Sequence, residues 1–139
     1  MTMDITKSMT TAASGMRVQT ERMRLIAENI ANAGSTAIGA NGEPYRRQII
    51  SFKDDLDEAT GAAIVKSKKV ERDRSDFKME YNPGHPAANA QGYVMLPNVN
   101  TLIEMTDMRE AQRAYEANLN VVDSARQMAA RTLDLLKRG

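Results

Sequence analysis

The sequence predicts a mainly α chain with a small β part: N- and C-terminal heptad helices pairing as an elongated coiled coil, with a loop and β-hairpin segment between them. Three observations carry this. Apolar residues recur at alternating steps of four and three at both ends of the chain. The middle is punctuated by Gly and Pro and holds short runs of strand composition. Only 4% of residues are aromatic, none is Trp, and ten Met take the place of larger core anchors.

The first helix is predicted from about Asp4 to Ala33, with Asp4 as its cap and Gly34 as a left-handed stop. Its stripe runs Ile5, Met9, Ala12, Met16, Gln19, Met23, Ile26, Ile30 and Ala33. The last helix is predicted from about Asn100 to Lys137, opened by a Thr101–Glu104 capping box. Its stripe runs Met105, Met108, Gln112, Tyr115, Leu119, Val122, Arg126, Ala129, Leu133 and Leu136. Such helices can pair within the chain or with neighbouring subunits. Gln19 and Gln112 either fix register as buried polar positions or sit at the wet edge of the stripe.

The middle opens with a Gly-punctuated loop holding the Asn41-Gly42 turn signal. Tyr45 to Phe52 and Ala62 to Val70 read as strands, separated by the acidic loop Lys53 to Gly61. Phe77, Met79 and Tyr81 alternate with Lys78 and Glu80, which predicts a third strand with one buried face. Asn82-Pro83-Gly84 makes a turn with positive φ expected at Gly84. Gly92 to Pro97 is a short extended lead into the last helix. The expected divisions are 1–33, 34–98 and 99–139, forming one elongated structural unit.

Composition excludes several classes of function. Nineteen basic and 18 acidic side chains leave a net charge of +1, without the excess that draws a domain to nucleic acid. The basic cluster Lys66, Lys68, Lys69, Arg72 and Arg74 is interleaved with acids and has no aromatic platform. There is no Cys, so disulfides and Cys-held metals are absent. No apolar run reaches the roughly 20 residues a membrane span needs, and the first residues lack the apolar stretch of a secretory signal. No Ser or Thr sits in a nucleophile elbow, and the acidic loop lacks the EF-hand spacing. His85 is alone, in a Pro-Gly-His-Pro turn. No catalytic residue, cofactor or metal is expected.

Both ends carry motifs. Near the N-terminus the chain reads Met23-Arg24-Leu25-Ile26-Ala27-Glu28-Asn29-Ile30-Ala31-Asn32-Ala33. Near the C-terminus it reads Pro97-Asn98-Val99-Asn100, Glu104-Met105, then Ala111-Gln112-Arg113-Ala114-Tyr115-Glu116-Ala117-Asn118. The pair resembles the two end signatures of flagellar basal-body rod proteins. Tyr81 to Pro86, Gly92-Tyr93-Val94 and Pro97-Asn98-Val99 are similar to the pattern of the proximal-rod, FlgC-type branch. The turn Ala33-Gly34-Ser35-Thr36 departs from that of the longer axial proteins.

The resemblance implies a structural subunit, not an enzyme. Such a subunit is exported by the flagellar type III apparatus without a cleaved signal. It polymerises helically in the periplasmic rod with copies of itself, with FlgB, FlgF and FlgG, and with the junction protein FliE. The drive shaft so formed transmits torque and carries the export channel, with the paired helices as the inner tube and the middle outside. It implies an interface made of the helix stripes together with Asn29, Asn32, Asn98, Arg113 and Asn118. Those four Asn are expected to bond backbone or neighbouring subunits near the helix ends. The competing reading is a soluble coiled-coil adaptor that binds a partner helix, which leaves both end motifs unexplained.

Overall fold

The computed structural model describes residues 2–139. Among them run, in chain order, α1 (Thr2–Ala31), β1 (Gln48–Ile49), β2 (Phe52–Leu56), β3 (Ala63–Ser67), β4 (Glu71–Arg72), β5 (Lys78–Tyr81), β6 (Tyr93–Leu96) and α2 (Thr101–Arg138). Two long terminal helices thus flank a small β part, as expected. The strands form antiparallel pairs, β1 with β4, β2 with β3 and β5 with β6.

The helix ends differ in detail from expectation. α1 begins at Thr2, so Asp4 lies in its first turn, where its charge favours the helix dipole, and does not cap it. α1 ends without a left-handed Gly34, since only Gly61 and Gly92 have positive φ among the described residues. The Asn32 side chain donates to the Glu28 carbonyl at 2.8 Å, and Ala33 N–H bonds Ile30 O at 3.2 Å. These contacts satisfy the last carbonyls by tightening the turn. At α2 the cap is Asn100, whose side-chain oxygen accepts from Leu102 N–H at 3.1 Å. The Thr101–Glu104 capping box does not form, because the Glu104 carboxylate is turned inward to other partners.

The strands also depart from the sequence reading. β2 takes in Lys53, Asp54 and Asp55, so half of the predicted acidic loop is strand. Within Ala62 to Val70 the strand is shorter than expected, β3 running from Ala63 to Ser67, and β4 starts beyond that span at Glu71. β5 exists, but Met79 and Tyr81 are exposed, so the alternation there marks no buried face. A two-stranded pair has only one partner to bury a face against, and β5 and β6 bury Val94.

Contacts divide the chain into two units. The first takes in the chain up to Met23, Ser51–Lys68 and Arg109–Gly139. Its core is built from small residues: Ala12, Ala62, Ala111 and Ala125 are buried with Val18. Here α1 is covered on two sides. On one, Gly15 lies so close to α2 that a Cβ there would sit 2.6 Å from Asn118 Nδ2. On the other, Thr11 Oγ1 donates to Ala63 O at 2.6 Å, and Ser14 Oγ accepts from Val65 N–H at 3.1 Å. These hydroxyls occupy the edge of β3 that β2 leaves unpaired, so the hairpin is tied to the helix by its own backbone groups.

The second unit comprises Arg24–Ile50 and Lys69–Met108. Leu25, Ile26, Val94, Pro97 and Val99 are buried in it. Arg46 stacks its guanidinium 4.2 Å from the centre of the Phe77 ring. Tyr81 and Tyr93, opposite each other in the β5–β6 register, meet edge to face at 5.3 Å. Gly92, with φ of +87°, makes the approach possible, since a Cβ there would lie 2.9 Å from the Tyr81 ring. Gly92→Ala is therefore expected to lower stability by about 2 kcal/mol through positive-φ strain and displacement of Tyr81. Thermal melts of the two proteins check this, and an unchanged midpoint would contradict it.

Candidate functional site

The expected stripes have the right period, but α2 turns a different face inward. Its buried and half-buried residues include Glu104, Met108, Ala111, Tyr115, Asn118, Val122, Ala125, Ala129 and Thr132. These still alternate by three and four. Met108, Tyr115, Val122 and Ala129 belong to the predicted stripe. Met105, Gln112, Leu119, Arg126, Leu133 and Leu136 do not point inward and are exposed, as is Arg113. The intrachain seam therefore uses the residue just before each of Met105, Gln112, Leu119, Arg126 and Leu133. The physical reason is size. Ala111, Asn118 and Ala125 allow close approach of the kind seen at Gly15, which a Leu in the same place would block.

On α1, Met9, Met16, Gln19, Met23 and Ile30 are half-buried, as is Asn32 just beyond its end, and Ile26 and Asn29 are buried. Gln19 is a seam position in this helix, and its Oε1 is buried with no hydrogen-bond partner. The two glutamines thus have different fates, since Gln112 is at the surface.

The second unit holds a polar clasp. Asn29 donates to Gln48 O at 2.9 Å and to Glu104 Oε2 at 3.3 Å. Its oxygen accepts from Tyr45 O–H at 2.6 Å and Gln48 N–H at 2.9 Å. Asn98 accepts from Arg47 N–H at 2.8 Å and donates to Asp73 O at 2.9 Å and Ser75 Oγ at 3.0 Å. Both amides therefore use donor and acceptor together, and each holds the backbone on one side of β1. Asn32, just past α1, and Asn118, within α2, instead donate to helix carbonyls four residues back, Glu28 O and Ala114 O.

Arg47 joins the clasp to α2. Its guanidinium bonds Glu104, and reaches Asp73 at 3.3 Å and Asp107 at 3.6 Å. Glu104 is fully buried, an uncommon place for a carboxylate unless it is paired. Burial disfavours the Arg47 charge, but hydrogen bonds to Glu104 and Asp73 outweigh it and the guanidinium is held above its ordinary value. The Tyr45 hydroxyl is also raised, first by burial and then by the negative charges of Glu28 and Glu104, which keeps it a donor.

Asp73 is lowered, chiefly by the backbone N–H of Ser75 and also by the Ser75 and Arg47 side chains. A carboxylate with a lowered folded-state value contributes stability that is present above its ordinary value of 3.8 and is lost as pH falls through the folded-state value. Urea midpoints are thus expected to fall below about pH 4, and to fall less steeply in Asp73→Asn. Equal acid slopes in both proteins would contradict this.

Sequence reading singled out Asn29 and Asn98 but took Glu104 for a cap and placed Arg47 only within the predicted strand Tyr45 to Phe52. Tyr45 and Asp73 carried no signal. The one available signal was that Glu104 falls on the heptad step before Met108, which a helix cannot bury without a cation. His85 is committed to its turn, where Nδ1 accepts from Ala87 N–H at 3.0 Å. Among the described residues no cluster of His, Asp and Glu is arranged to hold a metal, and no helix is long and apolar enough to cross a membrane.

Residues 90–135 match the family model described as flagellar basal body rod FlgEFG protein C-terminal. Among curated proteins, the chain is 52% identical to the flagellar basal-body rod protein FlgC of Agrobacterium fabrum, with 91% of each chain covered. It is 38% identical to that of Borreliella burgdorferi, over 97% of this chain and 99% of the relative. With that of Salmonella typhimurium the figures are 36% identity, 89% and 92%.

Proposed function

We propose, from the premise that the chain belongs to the FlgC family of flagellar basal-body rod proteins, that assembly of its two helices with those of neighbours builds the wall of the proximal rod. The protein is a structural subunit of the flagellar basal body and assembles with other rod proteins. In the finer reading the partners are further copies of itself, FlgB, FlgF, FlgG and the junction protein FliE. The subunit leaves the cytoplasm through the flagellar type III apparatus without a cleaved signal and lies in the periplasmic part of the rod. It contacts neither nucleic acid nor membrane directly, needs no cofactor, and catalyses nothing.

One observation carries this reading: a row of apolar α2 side chains, Met105, Leu119 and Leu133, keeps the helix period yet faces away from the chain's own core. They stand two heptads apart, with Gln112 and Arg126 at the positions between, and exposed apolar side chains along one helix stripe are what a second helix covers. Coiled-coil pairing is thus assigned both within the chain and between subunits, with the stretches 1–33, 34–98 and 99–139 working as one structural unit.

The test is an immunoblot for this chain on purified hook–basal bodies, beside a deletion strain. Presence in the particle, and loss of rod and hook on deletion, is the expected result. Absence from the particle with swimming intact would instead favour the helical adaptor.

A further inference from the structure

The loop between α1 and β1 holds a pair of residues that neither the fold nor the rod reading uses. Of the chain's asparagines, only Asn41 is followed by glycine. Ala40, Asn41, Gly42 and Glu43 are all exposed and belong to no helix or strand. Among the described residues the Asn41 side chain has no hydrogen-bond partner. Asn29 and Asn98, by contrast, are buried and use both ends of their amides. One backbone bond closes the turn, Gly42 N–H to Gly39 O at 3.1 Å. An exposed turn of this kind opens locally at little cost while the core stays folded.

The turn does not require glycine for its backbone angles, since only Gly61 and Gly92 have positive φ among the described residues. What Gly42 lacks is a side chain beside its own nitrogen, which leaves that nitrogen open to the preceding side chain. A Cβ there would also stand 3.2 Å from Ala37 Cβ.

We propose that Asn41-Gly42 is a site of spontaneous covalent modification in the folded chain. The Gly42 nitrogen gives its proton to solvent base and attacks Asn41 Cγ. The Cγ–Nδ2 bond breaks, ammonia leaves, and a cyclic imide closes. Water then opens the ring. Attack at Cγ gives aspartate with the ordinary backbone, and attack at the main-chain carbonyl gives isoaspartate, whose backbone runs through Cβ and Cγ. An amide and a water become an acid and an ammonia, so no oxidant, metal or enzyme takes part. Either product adds a negative charge beside Glu43, whose carboxylate stands 3.7 Å from Arg46. The isoaspartate form also lengthens the main chain just ahead of the buried Pro44. Both products accumulate with time, so the loop records the age of the subunit.

The purified full-length chain, held at mildly alkaline pH, should release ammonia and form acidic variants on isoelectric focusing. Its isoaspartate should accept a labelled methyl group from an isoaspartate-specific methyltransferase, and the label should map to the peptide carrying Asn41. The folded protein should convert within severalfold of the rate in urea, because the loop is already exposed. Gly42→Ala should slow the conversion severalfold, since its Cβ shields the attacking nitrogen. Asn41→Gln should stop it over the same period. Conversion only after unfolding, conversion at another asparagine while Asn41 stays intact, no conversion in either state, or an undiminished rate in Gly42→Ala would each overturn the proposal. The immunoblot on particles decides the rod reading separately.

Discussion

Arg47→Met is expected to lower the unfolding free energy by roughly 3–5 kcal/mol, the cost of leaving a buried charge without its partner. The change leaves the fully buried Glu104 carboxylate without its guanidinium, and the Asn29 amide cannot replace a charge. Asp73 and Asp107 lose the same cation, which adds repulsion around the site. Arg47→Lys should recover only part of the loss, since one ammonium cannot serve three carboxylates set around a planar fork. Pairing Arg47→Met with Glu104→Leu should recover more, because removing both charges avoids the buried unpaired one. Urea titrations of the four proteins measure this. A loss below about 1 kcal/mol for Arg47→Met would show that the clasp contributes little to the fold.

Gly15→Ala gives the second large effect, and its sign is informative. Helix propensity alone favours Ala over Gly by about 1 kcal/mol. At this position the new Cβ would meet Asn118 Nδ2 at 2.6 Å, with Asn118 Cγ and Oδ1 at 3.0 and 3.1 Å. Either Asn118 swings out and gives up its bond to Ala114 O, or the two helices part. Overpacking of this kind costs about 1–3 kcal/mol, so Gly15→Ala should be net destabilising. Adding Asn118→Ala clears the space and lets the propensity gain appear, so the double variant should melt above Gly15→Ala. Circular dichroism melts give the coupling directly. Additive effects would mean that the helices do not meet at Gly15.

The terminal helices were legible because heptad spacing over many turns has no competing explanation. Their ends were less so. Asp4, Gly34 and Thr101 each matched a capping pattern, and each yielded to a contact several residues away: the early start at Thr2, the Asn32 amide on Glu28, and the capture of Glu104 by Arg47. Asn29 and Asn98 could be marked from the end motifs, but their partners Tyr45, Arg47 and Asp73 are 16 to 51 residues away in sequence and left no local trace. The β5 alternation failed because Met79 and Tyr81 sit on a two-stranded pair with nothing laid over that face.

Period, order of elements and the two end motifs belong to the amino-acid sequence, because side chains three and four apart share a helix face whatever surrounds them. The phase of the α2 seam does not. Leu119 and Asn118 are neighbours about 100° apart on one helix, and local pattern favours the more apolar of the two. Only the closeness of α1 at Gly15 turns Asn118 inward and leaves Leu119 outside, because helices that approach so closely have room for small side chains alone.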